Sequence, residues 1–143
     1  MHLLMAWLEW REYLNIIYHD VVEIEEGDIP LSQDSKTLAK ADRQEAESKA
    51  LNRLKEKLPR LLKTKVPALF KEFQECKTPE ARFANAIDKL DAVIQELDYK
   101  RDWKGWAAEF LKREKAIYFE PFPEIKETFE GLMRYLAGEG YFG

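Results

Sequence analysis

Apolar positions recur at helical spacing along almost the whole chain. Between residues 3 and 18, Leu3, Leu4, Trp7, Leu8, Leu14, Ile17 and Tyr18 recur three, four and seven apart, which predicts one bent helix or two short ones. Val21, Val22 and Ile24 are β-branched, but no strand-like partner lies nearby. Residues 19–26 therefore read as continuing helix, stopped by Gly27-Asp28-Ile29-Pro30. A polar loop over 31–37 leads into a long charged helix from about Lys36 to Leu58. Its buried stripe is Leu38, Ala46, Ala50, Leu51, Leu54 and Leu58, and Pro59 ends it. A shorter helical stretch, interrupted near Pro67, carries Phe70 and Phe73.

The clearest helix start comes next. Thr78 can cap, Pro79 suits the first turn, and Glu80 complements the positive end of the helix dipole. The helix it opens is expected to bury Phe83, Ala86, Ile87, Leu90, Val93, Ile94 and Leu97. Asp88 sits one residue off that stripe, between Ala84 and Ala92, with Asp91 a turn away. Past Tyr99 an aromatic, basic stretch with Trp103 and Trp106 precedes a helix to about Tyr118. Pro121 and Pro123 break it, and Pro123-Glu124 opens a last helix ending near Gly138. The pattern predicts an all-α protein, an irregular bundle of about six or seven helices, with residues 1–143 as a single domain.

Composition agrees with a packed core. Of the 143 residues, 45% are hydrophobic and 13% aromatic, too many for a disordered chain. The net charge of −4 gives no basic footprint for duplex nucleic acid. A small anionic substrate remains compatible, because a bound cation supplies local positive charge. Lys100, Arg101 and Lys104 beside Trp103 and Trp106 could stack single strands. With an acidic overall balance, aromatic packing under a solvated basic face is the better reading. The single Cys76 excludes an intrachain disulfide and reads as an unreactive thiol. The apolar run from Leu3 to Leu8 stops at Glu9, far short of the roughly 20 residues a membrane span needs. No membrane association and a cytoplasmic location are the expectations.

The candidate chemistry lies in a chain with only two histidines. His19-Asp20 is followed by Glu23, by Gly27-Asp28 and, much later, by Asp88. On a helix, Glu23 falls four residues past His19 and three past Asp20, so the three share one face. Imidazole and carboxylate oxygens are the usual ligands of hard or borderline divalent cations. The bland alternative is a core histidine hydrogen-bonded to a neighbouring carboxylate. Asp88, on an otherwise apolar helix, is costly unless paired or coordinated.

Tyr18-His19-Asp20-Val21-Val22-Glu23-Ile24 through Gly27-Asp28-Ile29-Pro30 resembles the central signature of the HD-domain metal-dependent phosphohydrolases. It is most like the small bacterial and archaeal branch related to 5'-deoxynucleotidases. The likeness continues through Arg43-Gln44-Glu45-Ala46, Glu72-Phe73, Thr78-Pro79-Glu80-Ala81-Arg82-Phe83 and Ala86-Ile87-Asp88-Lys89-Leu90. The resemblance implies an all-α fold holding one divalent metal ion (Mn, Co, Mg or Zn), with His19, Asp20 and Asp88 as ligands. It also implies that Glu23 and Asp28 line the phosphate and the attacking water. A cation would polarise the phosphate and acidify bound water while a carboxylate takes the proton. The implied substrate is a small phosphorylated molecule, a (deoxy)nucleoside monophosphate above all.

The departure is at the start. The family's first histidine ligand lies on a helix well before the His-Asp pair, and only eighteen residues precede His19 here. The expectation is a domain shortened at its N-terminus relative to the family. His2 is the one other histidine, but Leu3-Leu4-Met5-Ala6-Trp7 resembles the stretch just after that ligand. The first ligand is thus open between His2, a longer chain, and loss. Two functions follow: a 5'-nucleotidase-like phosphomonoesterase, or a catalytically impaired scaffold or partner-binding protein that kept the fold. A missing helix would also leave Leu14, Ile17 and Tyr18 wet, which predicts a homo-oligomer, a dimer in the simplest case.

Overall fold

The computed structural model describes residues 40–142, which form five α-helices and one short 3-10 turn, with no strand among the described residues. They are α1 (Lys40–Lys57), α2 (Lys65–Glu75), α3 (Pro79–Gln95), the 3-10 turn Glu96–Asp98, α4 (Ala108–Phe119) and α5 (Pro123–Gly138). The expected helices before residue 40, and the surface around Leu14, Ile17 and Tyr18, lie outside the described residues. The chain divides into two compact units, Met1–Ala84 and Asn85–Gly143, with the boundary inside α3.

In the first unit, α1 and α2 close on an apolar cluster of Ala50, Leu54, Val66 and Phe70, with Leu51, Leu58 and Leu62 packed against it. Of the stripe that periodicity predicts for α1, Ala50, Leu51, Leu54 and Leu58 join this cluster, Ala46 is half-buried, and Leu38 lies outside the described residues. A tight turn joins the two helices, with the Leu62 N–H on the Pro59 carbonyl at 2.8 Å and the Val66 N–H on the Leu62 carbonyl at 3.0 Å. Pro67 does not interrupt the helix, contrary to expectation. It is the third residue of α2, where a backbone N–H has no carbonyl within the helix to bond, so its absence costs little. The C-cap of α2 is Cys76, in the left-handed region at φ 51°, with its N–H on the Glu72 carbonyl.

Thr78 caps α3 as its sequence predicts. Its hydroxyl oxygen accepts from the Ala81 N–H at 3.1 Å and donates to Glu72 Oε1 at 2.7 Å. The face that α3 buries is set by small residues: Ala81, Ala84 and Ala86 have no exposed surface, Val93 is buried, and so is the polar Asn85. Phe83, Ile87 and Leu90 are only half-buried and Ile94 is exposed. The buried positions of the helix are thus mostly small residues and one polar one, rather than its large apolar residues.

In the second unit, α4 packs on α5. Leu111 and Phe119 from α4 are buried, as are Ile125, Phe129, Met133 and Leu136 from α5, and the Phe119 and Phe129 rings sit 4.7 Å apart. Pro123 opens α5 as predicted. Just past the helix, Gly140, whose φ is 66°, lets the Tyr141 N–H reach back to the Leu136 carbonyl at 3.0 Å and its own N–H to the Ala137 carbonyl at 3.2 Å. That paired return is the glycine-terminated helix end. It delivers Tyr141 and Phe142 onto the segment after α3. The Tyr141 hydroxyl donates to the Leu97 carbonyl at 2.7 Å, and Phe142 meets Trp103 edge-on at 5.5 Å. Trp103 is buried and donates to the Glu96 carbonyl at 2.9 Å. The aromatic residues of this stretch are thus packing groups, with Arg101 and Lys104 exposed beside them.

Candidate functional site

Of the residues singled out from the sequence, Asp88 is the one whose surroundings are described. His2, His19, Asp20, Glu23 and Asp28 lie outside the described residues. Asp88 falls seven residues after Ala81, four after Ala84 and three after Asn85. It therefore continues the buried face of α3. The capped start of α3 fixes the helix phase and so fixes this position. The side chain is itself 24% exposed, neither solvated on the surface nor enclosed in the core. Asp91, a turn further, is on the surface and takes a hydrogen bond from Gln95.

Asp88 is the centre of a charged group. The Lys89 ammonium lies 2.6 Å from Asp88 Oδ2 and 5.8 Å from the centroid of the Tyr118 ring. On α4, Lys115 is 6% exposed and donates to the Lys89 backbone carbonyl at 2.9 Å. Burial pulls the Lys115 ammonium down to about 8 from its ordinary 10.5, the neighbouring Lys89 charge pushes the same way, and Asp88 opposes both. One carboxylate and two ammonium groups are therefore gathered where α3 meets α4.

Neither lysine stood out in the sequence, though Lys115 had a readable signal. It lies four residues after Leu111 and four before Phe119, in the middle of the α4 buried stripe. Lys89 stands in the Asp88-Lys89-Leu90 motif of the family resemblance, but its pairing with Asp88 had no signal, because neighbours one apart do not face each other on a helix.

A carboxylate oxygen is a suitable donor for a hard divalent cation, and Asp88 already accepts a cationic group on Oδ2. This residue fits the role of a ligand. Among the described residues no three His, Cys, Asp or Glu side chains converge on one point.

The family model for the HD domain matches residues 9–126, a span that contains the His-Asp pair, Glu23, Asp28 and Asp88. This chain belongs to the HD domain family. It is 32% identical over 84 residues to the 5'-deoxynucleotidase HDDC2 of Xenopus laevis, covering 59% of this chain and 40% of that protein. It is 29% identical over 93 residues to the 5'-deoxynucleotidase hdd1 of Schizosaccharomyces pombe, covering 62% of this chain and 46% of that protein. The matches thus span less than half the length of these two relatives. A crystal structure of a predicted metal-dependent phosphohydrolase from Magnetospirillum magnetotacticum MS-1 superposes with a TM-score of 0.72 at 24% identity, over 99% of this chain and 74% of that one. The HD domain chain therefore has the all-α fold of that protein. Among the described residues no helix is long and apolar enough to cross a membrane.

Proposed function

We propose that this HD domain chain is a metal-dependent phosphohydrolase acting on a nucleoside monophosphate, with a preference for 5'-phosphates of deoxynucleosides. The observation that carries the reading is the position of Asp88. It is a half-buried, cation-accepting carboxylate on a helix face otherwise built from Ala81, Ala84 and Asn85, inside a family match that also spans His19, Asp20, Glu23 and Asp28. The two relatives named as 5'-deoxynucleotidases support the choice of substrate.

In this reading His19, Asp20 and Asp88 hold one divalent ion (Mn, Co, Mg or Zn). When bound, the ion supplies charge against the phosphate oxygens and acidifies water. Glu23 accepts the proton released by the attacking water, and Asp28 lines the same pocket of phosphate and water. Lys89 and Lys115 bring two ammonium groups close to Asp88, which suits an anionic ester.

The test is phosphate release from a panel of ribo- and deoxyribonucleoside monophosphates with each metal added in turn. Glu23→Gln should bind metal as the parent does yet lose on the order of 10²-fold or more in turnover, because an amide cannot take the proton. Equal turnover in that variant would remove Glu23 from the mechanism. Metal binding with no hydrolysis of any ester would favour a scaffold that kept the fold.

A further inference from the structure

We propose that Lys89 is a built-in counter-ion which a divalent cation must displace from Asp88, and that the displaced ammonium then contacts the phosphate of the substrate. The inference rests on the reading of Asp88 as a metal ligand. Consecutive side chains leave a helix about 100° apart and do not pair by default. Lys89 nonetheless bends back to place Nζ 2.6 Å from Asp88 Oδ2.

Three features around it make this pairing exchangeable. Lys89 is 34% exposed, so its ammonium can leave the carboxylate without being stranded in the core. Tyr118 lies beside it, with the ring centroid 5.8 Å from Nζ, and offers the cation a resting face. Lys115 holds the Lys89 carbonyl from α4 at 2.9 Å, anchoring the backbone while the Lys89 side chain moves.

Charge then determines the order of events. The Lys89 ammonium lies on Asp88 Oδ2, and a divalent ion on either carboxylate oxygen repels it. Lys89 is tethered to the next residue along the chain, so it stays nearby when it gives way. The freed Lys89 ammonium, with Lys115 donating to its backbone carbonyl, then offers positive charge to a phosphate monoester dianion. Metal and phosphate binding are thereby coupled, and the coupling is reciprocal.

Calorimetric titration of the full chain with Mn2+, with and without inorganic phosphate, tests this. Lys89→Gln should bind Mn2+ about threefold to fivefold more tightly than the parent, the scale of a partly exposed ion pair. It should also lose the gain in Mn2+ affinity that phosphate confers on the parent. Lys89→Arg should keep the competition, and Lys89→Met should repeat the glutamine result if that variant folds poorly. A lysine that only stabilises the helix would lower the melting temperature of the metal-free protein and leave Mn2+ affinity unchanged, which would overturn the proposal while the metal reading stood. A parent that binds no Mn2+, or an Asp88→Asn variant that binds it equally well, would instead remove Asp88 as a ligand and the proposal with it.

Discussion

Ala50, Leu54, Val66 and Phe70 fill the space where α1 meets α2, and among the described residues no charged side chain is buried with them. Where α3 meets α4, the groups brought together are Asp88, Lys89 and Lys115, and a lysine that is 6% exposed stands in a row with Leu111 and Phe119. The first region gains from every atom it removes from water, at about 1.5–3 kcal/mol for a side chain the size of leucine or phenylalanine. The second gives up part of that gain, since burying an ammonium is costly even with a carbonyl to receive it. The contrast separates a contact that serves stability alone from one whose cost needs another explanation, and the candidate metal ligand lies in the second.

Breaking the apolar side should have the largest effect. Phe70→Ala removes a ring that is 4% exposed and should cost about 3–5 kcal/mol of unfolding free energy, read by urea denaturation. Relief, rather than loss, is the expectation on the charged side. Lys115→Met keeps the volume and removes the charge, so at pH 7 the variant should be at least as stable as the parent.

The pH dependence sharpens that test. With Lys115 pulled down to about 8 in the folded chain and near 10.5 when unfolded, the unfolded chain holds a proton between those values that the folded chain has released. Stability conferred by this group therefore rises with pH across that window. The penalty is fully present below pH 8 and lifts above it, by on the order of 3 kcal/mol in total. The advantage of Lys115→Met should shrink between pH 8 and 10 in denaturation curves. An advantage that is flat with pH would mean that Lys115 is not buried as a charge.

Metal should distinguish the two regions next. At a concentration one hundred times its Kd, a cation binding only the native state adds about 2.7 kcal/mol. Asp88→Asn should lose that gain, whereas a milder apolar change such as Leu54→Val should keep it, with thermal melts with and without chelator as the measurement. The smallest expected effect is at the helix start that sets the phase of Asp88. Thr78→Ala removes the bond to the Ala81 N–H and should cost about 0.5–2 kcal/mol, with Mn2+ affinity falling if α3 frays as far as the site.

The boundaries of the helices were legible in the sequence because they are local events. Thr78-Pro79, Pro123 and the Pro59 stop act through the few residues beside them, and the structure places the ends there. The stripe of α1 was legible too, since leucines on a regular helix turn toward whatever covers them. Asp88 could be singled out as an anomaly on an apolar helix and by its place in an ordered set of motifs.

Other features depended on packing. Pro67 was compatible with a break or with a first turn, and only the start of α2 at Lys65 decided between them. Which positions of α3 are covered was not legible either: Ala81, Ala84 and Asn85 are buried while Ile94 is exposed. The burial of Lys115 against the Lys89 carbonyl required α3 and α4 to meet. Periodicity records how often a face turns toward the interior. It does not contain the distance between two helices, and a long flexible side chain takes its partner from that distance.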